Sequence, residues 1–180
     1  MIGFKELKFA TLNGRLIDLN HPQPEDFNPL EIAHCLSIIN RFAGNTLLPI
    51  SVAQHVCMVA ERVPMEFRLH ALHHDSHEMI TSDIPRPVKE WLGDNIKFLE
   101  NSIDHAIFKR FGIKPTAESY ASIERAESQV LAMEFRDFRP NGWQMIKEFG
   151  LEKPGVHQRK INPLGWEQAK QKLIEMYLTV

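Results

Sequence analysis

The sequence predicts an all-α domain that carries a small β-hairpin on its amino-terminal side. Apolar residues recur at helical spacing in several long segments, and those segments begin or end at capping residues, prolines or glycines. The length of 180 residues fits one domain that can bury a core. Because no repeat or linker divides the chain, we expect a single unit over 1–180. It comprises the hairpin and a Pro-rich connection in 1–27 and a helical core in 28–180.

The hairpin is predicted over 4–19. Two segments rich in apolar residues flank the dipeptide Asn13-Gly14, which favours the type I′ turn of a two-residue hairpin. A segment with Pro22 and Pro24 follows and connects the hairpin to the helical core.

The helices of the core are predicted from their caps and breakers. Asn28 is typical of an N-cap before Pro29, and the apolar period that follows ends at Gly44. A Ser-x-x-Gln capping box at Ser51 opens the second helix. The third runs over 64–81, because it is followed by two prolines that lack a backbone donor. Further helices are predicted from about Pro87 and over 95–111, 116–138 and 162–178.

The composition limits the classes of function. A formal net charge of −2 provides no basic field for a nucleic acid polymer, so a small anionic substrate would need local cations or a metal. The two cysteines form no disulfide framework, which fits a reducing cytosol. No apolar segment approaches the ~20 residues of a membrane helix, and residues 1–20 lack the apolar core of a signal peptide. We therefore expect a cytoplasmic protein with no membrane partner.

A cluster of histidines marks the third predicted helix. Four of the nine histidines recur there at spacings of three and four, so we expect them within roughly one helical face. They are His70, His73, His74 and His77. Such a face normally carries Leu, Ile or Val, whereas here it carries groups that bind metals and move protons.

The adjacent pair His74-Asp75 offers a neutral nitrogen and a charged oxygen, which suit Mn, Fe, Co, Ni or Zn. Two ligands do not close a site, so others must come from elsewhere in the chain. His55 is the first candidate, because it lies in an otherwise apolar part of the second helix. Glu127 is the remaining candidate, on a later helix whose carboxylates we otherwise expect to be mostly solvated.

The order of His55, the His74-Asp75 pair and a later carboxylate resembles the HD superfamily of phosphohydrolases. The segments 32–42, 51–55, 72–78 and 82–89 are similar to one branch of it, which includes bacterial 5′-deoxynucleotidases and phage dATP triphosphohydrolases. The hairpin and the final helix resemble this branch as well. The resemblance implies an HD-domain helical bundle, located in the cytoplasm or in the host cytoplasm if the chain is phage-encoded.

The resemblance also implies roles for individual residues. The positions that match the metal ligands are His55, His74 and Asp75, with Glu127 where the family normally has Asp. The expected metal is a divalent ion, namely Co, Mn, Zn or Mg. Glu78 matches the carboxylate that handles the attacking water, Asp83 matches an acidic residue near the sugar and leaving group, and Arg41 matches a phosphate-contacting arginine.

Elementary chemistry agrees with these roles. A divalent ion lowers the pKa of a bound water toward ~7, and Glu78, one turn after His74, is placed to accept its proton. Arg41 offers a planar fork for phosphate oxygens. Arg86 and Lys89 either hold further phosphates or are surface cations. Phe42 either contacts the base or sugar or packs in the core.

The sequence therefore predicts hydrolysis of a deoxynucleotide, with dATP giving deoxynucleoside and triphosphate. A 5′-deoxynucleotidase that releases phosphate from deoxynucleoside monophosphates is the alternative, and a non-catalytic metal-binding module is an alternative of another class. A His-Glu-x-x-His protease motif fails at Thr81, and Met79 departs from the pattern of (p)ppGpp hydrolases. We also expect a homo-oligomer, because several apolar helical faces compete for one modest core.

Overall fold

The computed structural model describes residues 7–152 and 159–180. Most of these residues lie in helices, as predicted. The predicted hairpin is present as two antiparallel strands, β1 (Lys8–Ala10) and β2 (Leu16–Asp18). Phe9 pairs with Ile17, whose side chain is completely buried and joins the hairpin to the helical core. Residues 4–6 of the predicted hairpin lie outside the described residues.

The turn of the hairpin differs from the prediction. A type I′ turn needs positive φ at both Asn13 and Gly14, but only Gly14 has it, with φ of 76°. The N–H of Gly14 donates to the carbonyl of Thr11, and the N–H of Thr11 donates to that of Arg15. The N–H of Asn13 donates to the Glu31 carboxylate at 3.0 Å, so a contact with the first helix holds a longer loop.

The helices follow in chain order. They are α1 (Pro29–Ile38), α2 (Val52–Ala60), α3 (Arg68–His73), α4 (Glu78–Thr81), α5 (Arg86–Leu92), α6 (Asp94–Phe111), α7 (Ala117–Phe138), α8 (Gly142–Glu148) and α9 (Trp166–Tyr177). The predicted caps at Asn28 and Ser51 are confirmed, because each side chain accepts a backbone N–H of the helix that follows. Thr116 caps α7 in the same way.

Helix α2 is the centre of the fold. All of its residues are buried, and it packs against α1, α3, α7 and α9. A helix that is apolar on every side must lie inside the core, so its polar residues need partners there. Gln54 finds them in the backbone of the segment before α9, where its amide group bonds the carbonyl of Asn162 and the N–H of Leu164. The other polar side chain is His55.

Several predicted helix boundaries are wrong. Helix α1 ends at Ile38 rather than Gly44, because Asn40 pairs with Ser51 in a β-bridge and Arg41–Gly44 forms a separate 3-10 turn. The last helix begins at Trp166 rather than at 162, because the preceding backbone is held by Gln54. The short helix α8 was not predicted at all.

The third predicted helix is also interrupted, and α3 and α4 are its two parts. Residues 74–77 between them form tight turns. The N–H of Ser76 donates to the carbonyl of His73, and that of Glu78 donates to the carbonyl of Asp75, which is the spacing of a 3-10 turn. In the part of the chain that the structure describes, no helix is long and apolar enough to cross a bilayer.

Candidate metal centre

Three of the predicted ligands meet beside helix α2. The Nε2 atom of His55 lies 3.6 Å from Oδ2 of Asp75, and the Nε2 atom of His74 lies 3.3 Å from the same oxygen. Neither Nε2 atom has a hydrogen-bond partner, although both are buried. Donors that share one ion at about 2.1 Å lie about 3 Å apart, so this group fits a divalent metal. His55, His74 and Asp75 therefore form a group that could hold a metal ion.

Glu127 lies at the edge of this group. Its Oε1 atom is 3.4 Å from Nε2 of His74, and its side chain is 40% exposed. Glu127 therefore approaches the same nitrogen as Asp75, from helix α7. The structure thus brings all four predicted ligands into one neighbourhood, with Glu127 on the solvent side.

The orientation of His55 is fixed by a residue that the sequence did not single out. Its Nδ1 atom lies 2.9 Å from Oε1 of Glu134, a carboxylate of α7 that is completely buried. Burial alone would raise the pKa of Glu134, but the neighbouring His55 and Arg41 hold it below its ordinary value. The sequence interpretation treated the carboxylates of this helix as mostly solvated. Their spacing was the missed signal, because residues 127 and 134 are two turns apart and share one face.

His74 is held in a comparable way. Its Nδ1 atom lies 2.7 Å from the carbonyl of Ala71, which leaves Nε2 directed at Asp75 and Glu127. Burial lowers the pKa of His74, but the two carboxylates outweigh burial and raise it well above its ordinary value. The two carboxylates that favour a proton on Nε2 of His74 would also favour a divalent cation bound to that nitrogen.

Arg41 joins the carboxylates around the centre. Its guanidinium lies 3.0 Å from Oδ1 of Asp83, 3.8 Å from Oδ2 of Asp75 and 3.6 Å from Oε2 of Glu134. Burial raises the pKa of Asp75, but the charges of His74, His55 and Arg41 together hold it well below its ordinary value. Asp75 is therefore a carboxylate at neutral pH, and Arg41 places positive charge next to it.

The backbone just after Arg41 and just before Asp83 is strained. Phe42 and Ala43 have φ of 58° and 50°, and Ser82 has φ of 63° with ψ of 171°, a region occupied almost only by glycine. The Oδ2 atom of Asp83 accepts the N–H of Ala43 at 3.3 Å. Such strain persists only where surrounding contacts impose it, and Asp83 supplies contacts to both the side chain of Arg41 and the turn after it.

The Phe42 side chain is partly buried against other side chains. Its ring meets Phe135 edge to face at 5.6 Å, and the guanidinium of Arg139 lies 4.6 Å from its centroid. The guanidinium of Arg41 also lies 5.2 Å from the ring centroid. These contacts fit the packing interpretation of Phe42.

Glu78 is buried close to Asp75. Its side chain is only 2% exposed, and its Oε2 atom has no hydrogen-bond partner. Burial and the nearby charge of Asp75 raise the pKa of Glu78 well above its ordinary value. A carboxylate with a raised pKa binds and releases a proton closer to neutral pH, which is what a general base or acid requires.

The predicted shared face of four histidines is present only in part, because the helix is interrupted. His70 and His74 line one cavity, whereas His73 and His77 contact other side chains. His70 Nδ1 lies 3.0 Å from the hydroxyl of Ser119. His73 is stacked between Phe111 and Tyr177, at centroid distances of 4.2 and 4.9 Å. Burial lowers the pKa of both imidazoles, to about 4 for His70 and about 3 for His73. These two histidines are neutral at pH 7. His73 is enclosed by rings, whereas His70 also lines the cavity beside the metal centre.

A cavity of about 730 Å³ opens beside the metal centre. His74, Asp75 and Glu127 are among its lining residues. About half of its remaining lining residues are polar or charged, and the others are apolar or aromatic. The polar ones include Asn101, His105, Lys109 and the carboxylates Asp104 and Glu124, and the apolar and aromatic ones include Phe108, Tyr120 and Ile123. Its volume lies within the range of small-molecule sites.

The two predicted phosphate-binding cations do not line this cavity. Arg86 is 91% exposed and pairs with Glu90 of the same helix at 3.1 Å. The ammonium of Lys89 lies 2.9 Å from Oε1 of Glu100. Both cations therefore form ion pairs, Arg86 with a carboxylate of α5 and Lys89 with a carboxylate of α6.

The chain is similar to proteins of two bacteria. It is 36% identical over 127 residues to the uncharacterized protein YfdR of Escherichia coli (strain K12), and the aligned part covers 71% of this chain and 70% of YfdR. It is 34% identical over 111 residues to an uncharacterized protein of Rhodobacter capsulatus, with 57% of each chain covered. No protein-family profile matches the chain.

Proposed function

The chain belongs to the same protein family as YfdR, and we propose that it is a metal-dependent phosphohydrolase of the HD type that acts on deoxynucleotides. The observation that carries the proposal is the convergence of two unpartnered imidazole nitrogens on one carboxylate. His55 Nε2 and His74 Nε2 both face Asp75, next to a cavity with the volume of a nucleotide site.

The ligand set favours a divalent transition metal. Two neutral nitrogens and one or two carboxylate oxygens suit Mn, Co or Zn, with Glu127 completing the set from the solvent side. When bound, such an ion supplies Lewis acidity toward a phosphoryl oxygen and activates water at neutral pH.

The side chains around the ligands supply the rest of the chemistry. Glu78 has the raised pKa of a group that accepts the proton of the attacking water. Arg41 lies 3.8 Å from Asp75 and offers donors to phosphate oxygens, while Asp83 orients it from 3.0 Å. Asp83 is therefore a positioning residue for the phosphate-binding arginine.

The cavity supports a nucleotide as the substrate class. The phosphate would bind beside His74 and Asp75, and the rings of Phe108 and Tyr120, which also line the cavity, offer surfaces for a base or sugar. The side chain of Tyr120 is 55% exposed and is therefore accessible to a ligand.

One observation favours a monophosphate over a triphosphate. The preference for dATP rested on Arg86 and Lys89, but these cations pair with Glu90 and Glu100 and do not line the cavity. A triphosphate carries more negative charge and would need those cations or further metal. We therefore favour the 5′-deoxynucleotidase alternative, because a monophosphate needs fewer cations.

A substrate panel tests the proposed function. The purified chain is incubated with Mn²⁺, Co²⁺, Zn²⁺ or Mg²⁺ and with each deoxynucleoside monophosphate and triphosphate, and products are separated by chromatography. We expect a deoxynucleoside and phosphate from at least one monophosphate. Formation of deoxyadenosine and triphosphate from dATP would favour the triphosphohydrolase form instead. Absence of hydrolysis with every metal would refute the proposal.

A further inference from the structure

His73 is stacked against two aromatic rings that come from distant helices. Its side chain is 1% exposed and lies against Phe111 at the end of α6 and Tyr177 at the end of α9. The centroid distances are 4.2 and 4.9 Å, and the ring planes are inclined by only 17° and 11°. Because both neighbouring rings are nearly parallel to the imidazole, they set the plane in which its nitrogens lie.

The edge of the His73 ring reaches the turn that carries two of the proposed metal ligands. Its Nδ1 atom lies 3.0 Å from Oγ of Ser76, which is fully buried, so the two side chains are hydrogen-bonded. The backbone N–H of Ser76 also donates to the carbonyl of His73, at 3.1 Å. These two bonds join the same pair of residues, and His74 and Asp75 lie between them in the chain. The backbone that carries both ligands is therefore held at each end.

This turn needs support from side chains because the helix is interrupted in it. Its backbone bonds have the 3-10 spacing, whose geometry is poorer than that of an α-helix. A metal site, by contrast, requires each donor atom at about 2.1 Å from the ion, within a few tenths of an ångström. The contact between His73 and Ser76 adds a constraint where the backbone alone supplies a weak one.

Helix α9 is also connected to the part of the chain that carries His55. The backbone just before α9 bonds the side chain of Gln54, the residue that precedes His55 on α2. The amide nitrogen of Gln54 lies 2.8 Å from the carbonyl of Asn162, and its amide oxygen accepts the N–H of Leu164 at 2.9 Å. The 12 residues of α9 span about 18 Å. One end of α9 therefore contacts the neighbour of one ligand, and the other end contacts the turn that carries two more.

We propose that Tyr177, His73 and Ser76 act in series to position His74 and Asp75, so that the last helix sets the geometry of the metal centre without supplying a ligand. The three are positioning residues, because they act on the ligands and do not bind the ion. The inference rests on the metal centre of the proposed function, and it makes the metal affinity of that centre depend on the packing of α9. Loss of a contact that orients a ligand typically lowers metal affinity by about 10- to 100-fold.

Two substitutions at Tyr177 separate stacking from simple filling of space. Tyr177→Phe keeps the ring on His73 and removes a hydroxyl that makes no hydrogen bond of normal geometry, so it should bind Co²⁺ as the wild type does. Tyr177→Leu keeps an apolar side chain but removes the ring, and it should bind Co²⁺ at least tenfold more weakly. Affinity for the full chain is measured by competition with a chelator of known strength. The visible absorption spectrum of the bound Co²⁺, which reports the arrangement of its ligands, should change in Tyr177→Leu only.

Ser76→Ala tests the hydrogen bond to His73. It removes one buried hydroxyl and should lower the affinity for Co²⁺ by about tenfold, with a changed absorption spectrum. Ser37→Ala is the matched control, because Ser37 is also buried and its hydroxyl donates to the carbonyl of His34 at 2.7 Å. It should keep the affinity and the spectrum of the wild type. The free energy of unfolding of each metal-free variant in denaturant shows whether the two substitutions destabilise the fold equally.

The outcomes distinguish this inference from the proposed function. Wild-type affinity and spectrum in Ser76→Ala would overturn the positioning role, as would an equal loss in Ser37→Ala or equal effects of the two Tyr177 variants. Hydrolysis of a deoxynucleotide by the wild type would still uphold the proposed function in that case. If Tyr177→Leu fails to fold, Ser76→Ala decides the question. Weaker Co²⁺ binding in Ser76→Ala, together with a wild type that hydrolyses no deoxynucleotide, would keep the positioning role and refute the proposed function. A wild type that binds no Co²⁺ would refute both.

Discussion

His55 and Glu134 form a completely enclosed pair between helices α2 and α7, with Nδ1 of the histidine 2.9 Å from Oε1 of the carboxylate. The contact fixes the ring of His55 so that Nε2 faces Asp75. Helix α2 is otherwise apolar and buried over its whole length, so a polar ring there needs such a partner. The pair therefore ties the packing of the two helices to the geometry of the metal centre.

Glu134→Gln is expected to weaken the binding of the metal ion held by His55, His74 and Asp75 by about 10- to 100-fold. The amide keeps the size of the side chain but removes the charge that orients His55 and makes its ring a better ligand. Metal affinity is measured by competition with a chelator of known strength. Glu118→Gln changes an exposed carboxylate of the same helix and serves as the matched control. Equal affinities in the two variants would show that Glu134 only fills space.

Glu78→Gln is expected to lower turnover about 100-fold or more, since the amide cannot accept a proton from water. The ion held by His55 and His74 should remain bound, because Glu78 is not one of its predicted ligands. Steady-state hydrolysis and metal content are measured on the same preparation. If turnover falls only slightly, the raised pKa of Glu78 has no catalytic use and Asp83 becomes the better candidate.

Replacement of both Arg86 and Lys89 by Ala is expected to change the hydrolysis of dATP and dAMP by the same factor. Both cations pair with carboxylates outside the cavity, so neither is positioned to favour the longer phosphate chain. Values of kcat/KM for the two nucleotides give the comparison. A loss that is selective for dATP would restore the triphosphohydrolase form of the proposal.

His70 is expected to make the stability of the fold depend on pH. Burial lowers its pKa to about 4, so between about pH 6.5 and pH 4 the unfolded chain binds a proton that the folded chain does not. The free energy of unfolding therefore falls as the pH is lowered through this range, by up to about 1.4 kcal/mol per pH unit for this one group.

The check is the free energy of unfolding in denaturant, measured at several pH values. His70→Phe keeps an aromatic ring between Phe108 and Tyr120 and should give a shallower slope than the wild type. Replacement of the exposed His21 by Phe is the control and should leave the slope unchanged. Parallel curves for wild type and His70→Phe would contradict the assignment.

Features that depend on neighbours in the sequence could be predicted. The caps at Asn28, Ser51 and Thr116 each involve residues within three positions, and the end of α6 coincides with Gly112 in a left-handed conformation. The group of His55, His74 and Asp75 could also be predicted, because its residue types are rare in apolar helical segments.

Features that depend on distant contacts could not be predicted. Phe42 has a positive φ, and both of its neighbours, Arg41 and Ala43, donate hydrogen bonds to Asp83. Asp83 lies forty-one positions after Phe42, so no local pattern indicates this contact. The third predicted helix is interrupted at His74, where 3-10 hydrogen bonds replace those of an α-helix. The spacing of apolar residues in this segment does not indicate the interruption. Glu134 looked solvated because its helix alternates charged and apolar residues, and only the packing of α7 on α2 reveals its burial.

The central claim is that Asp75 holds the metal on which hydrolysis depends, and Asp75→Ala tests it most directly. Metal content and turnover of a deoxynucleotide are measured together for this variant and for Asp94→Ala, whose carboxylate is almost fully exposed. We predict that Asp75→Ala loses both the bound metal and more than 99% of turnover, about a hundredfold effect or larger, while Asp94→Ala retains both. Full metal content with full turnover in Asp75→Ala would contradict the account.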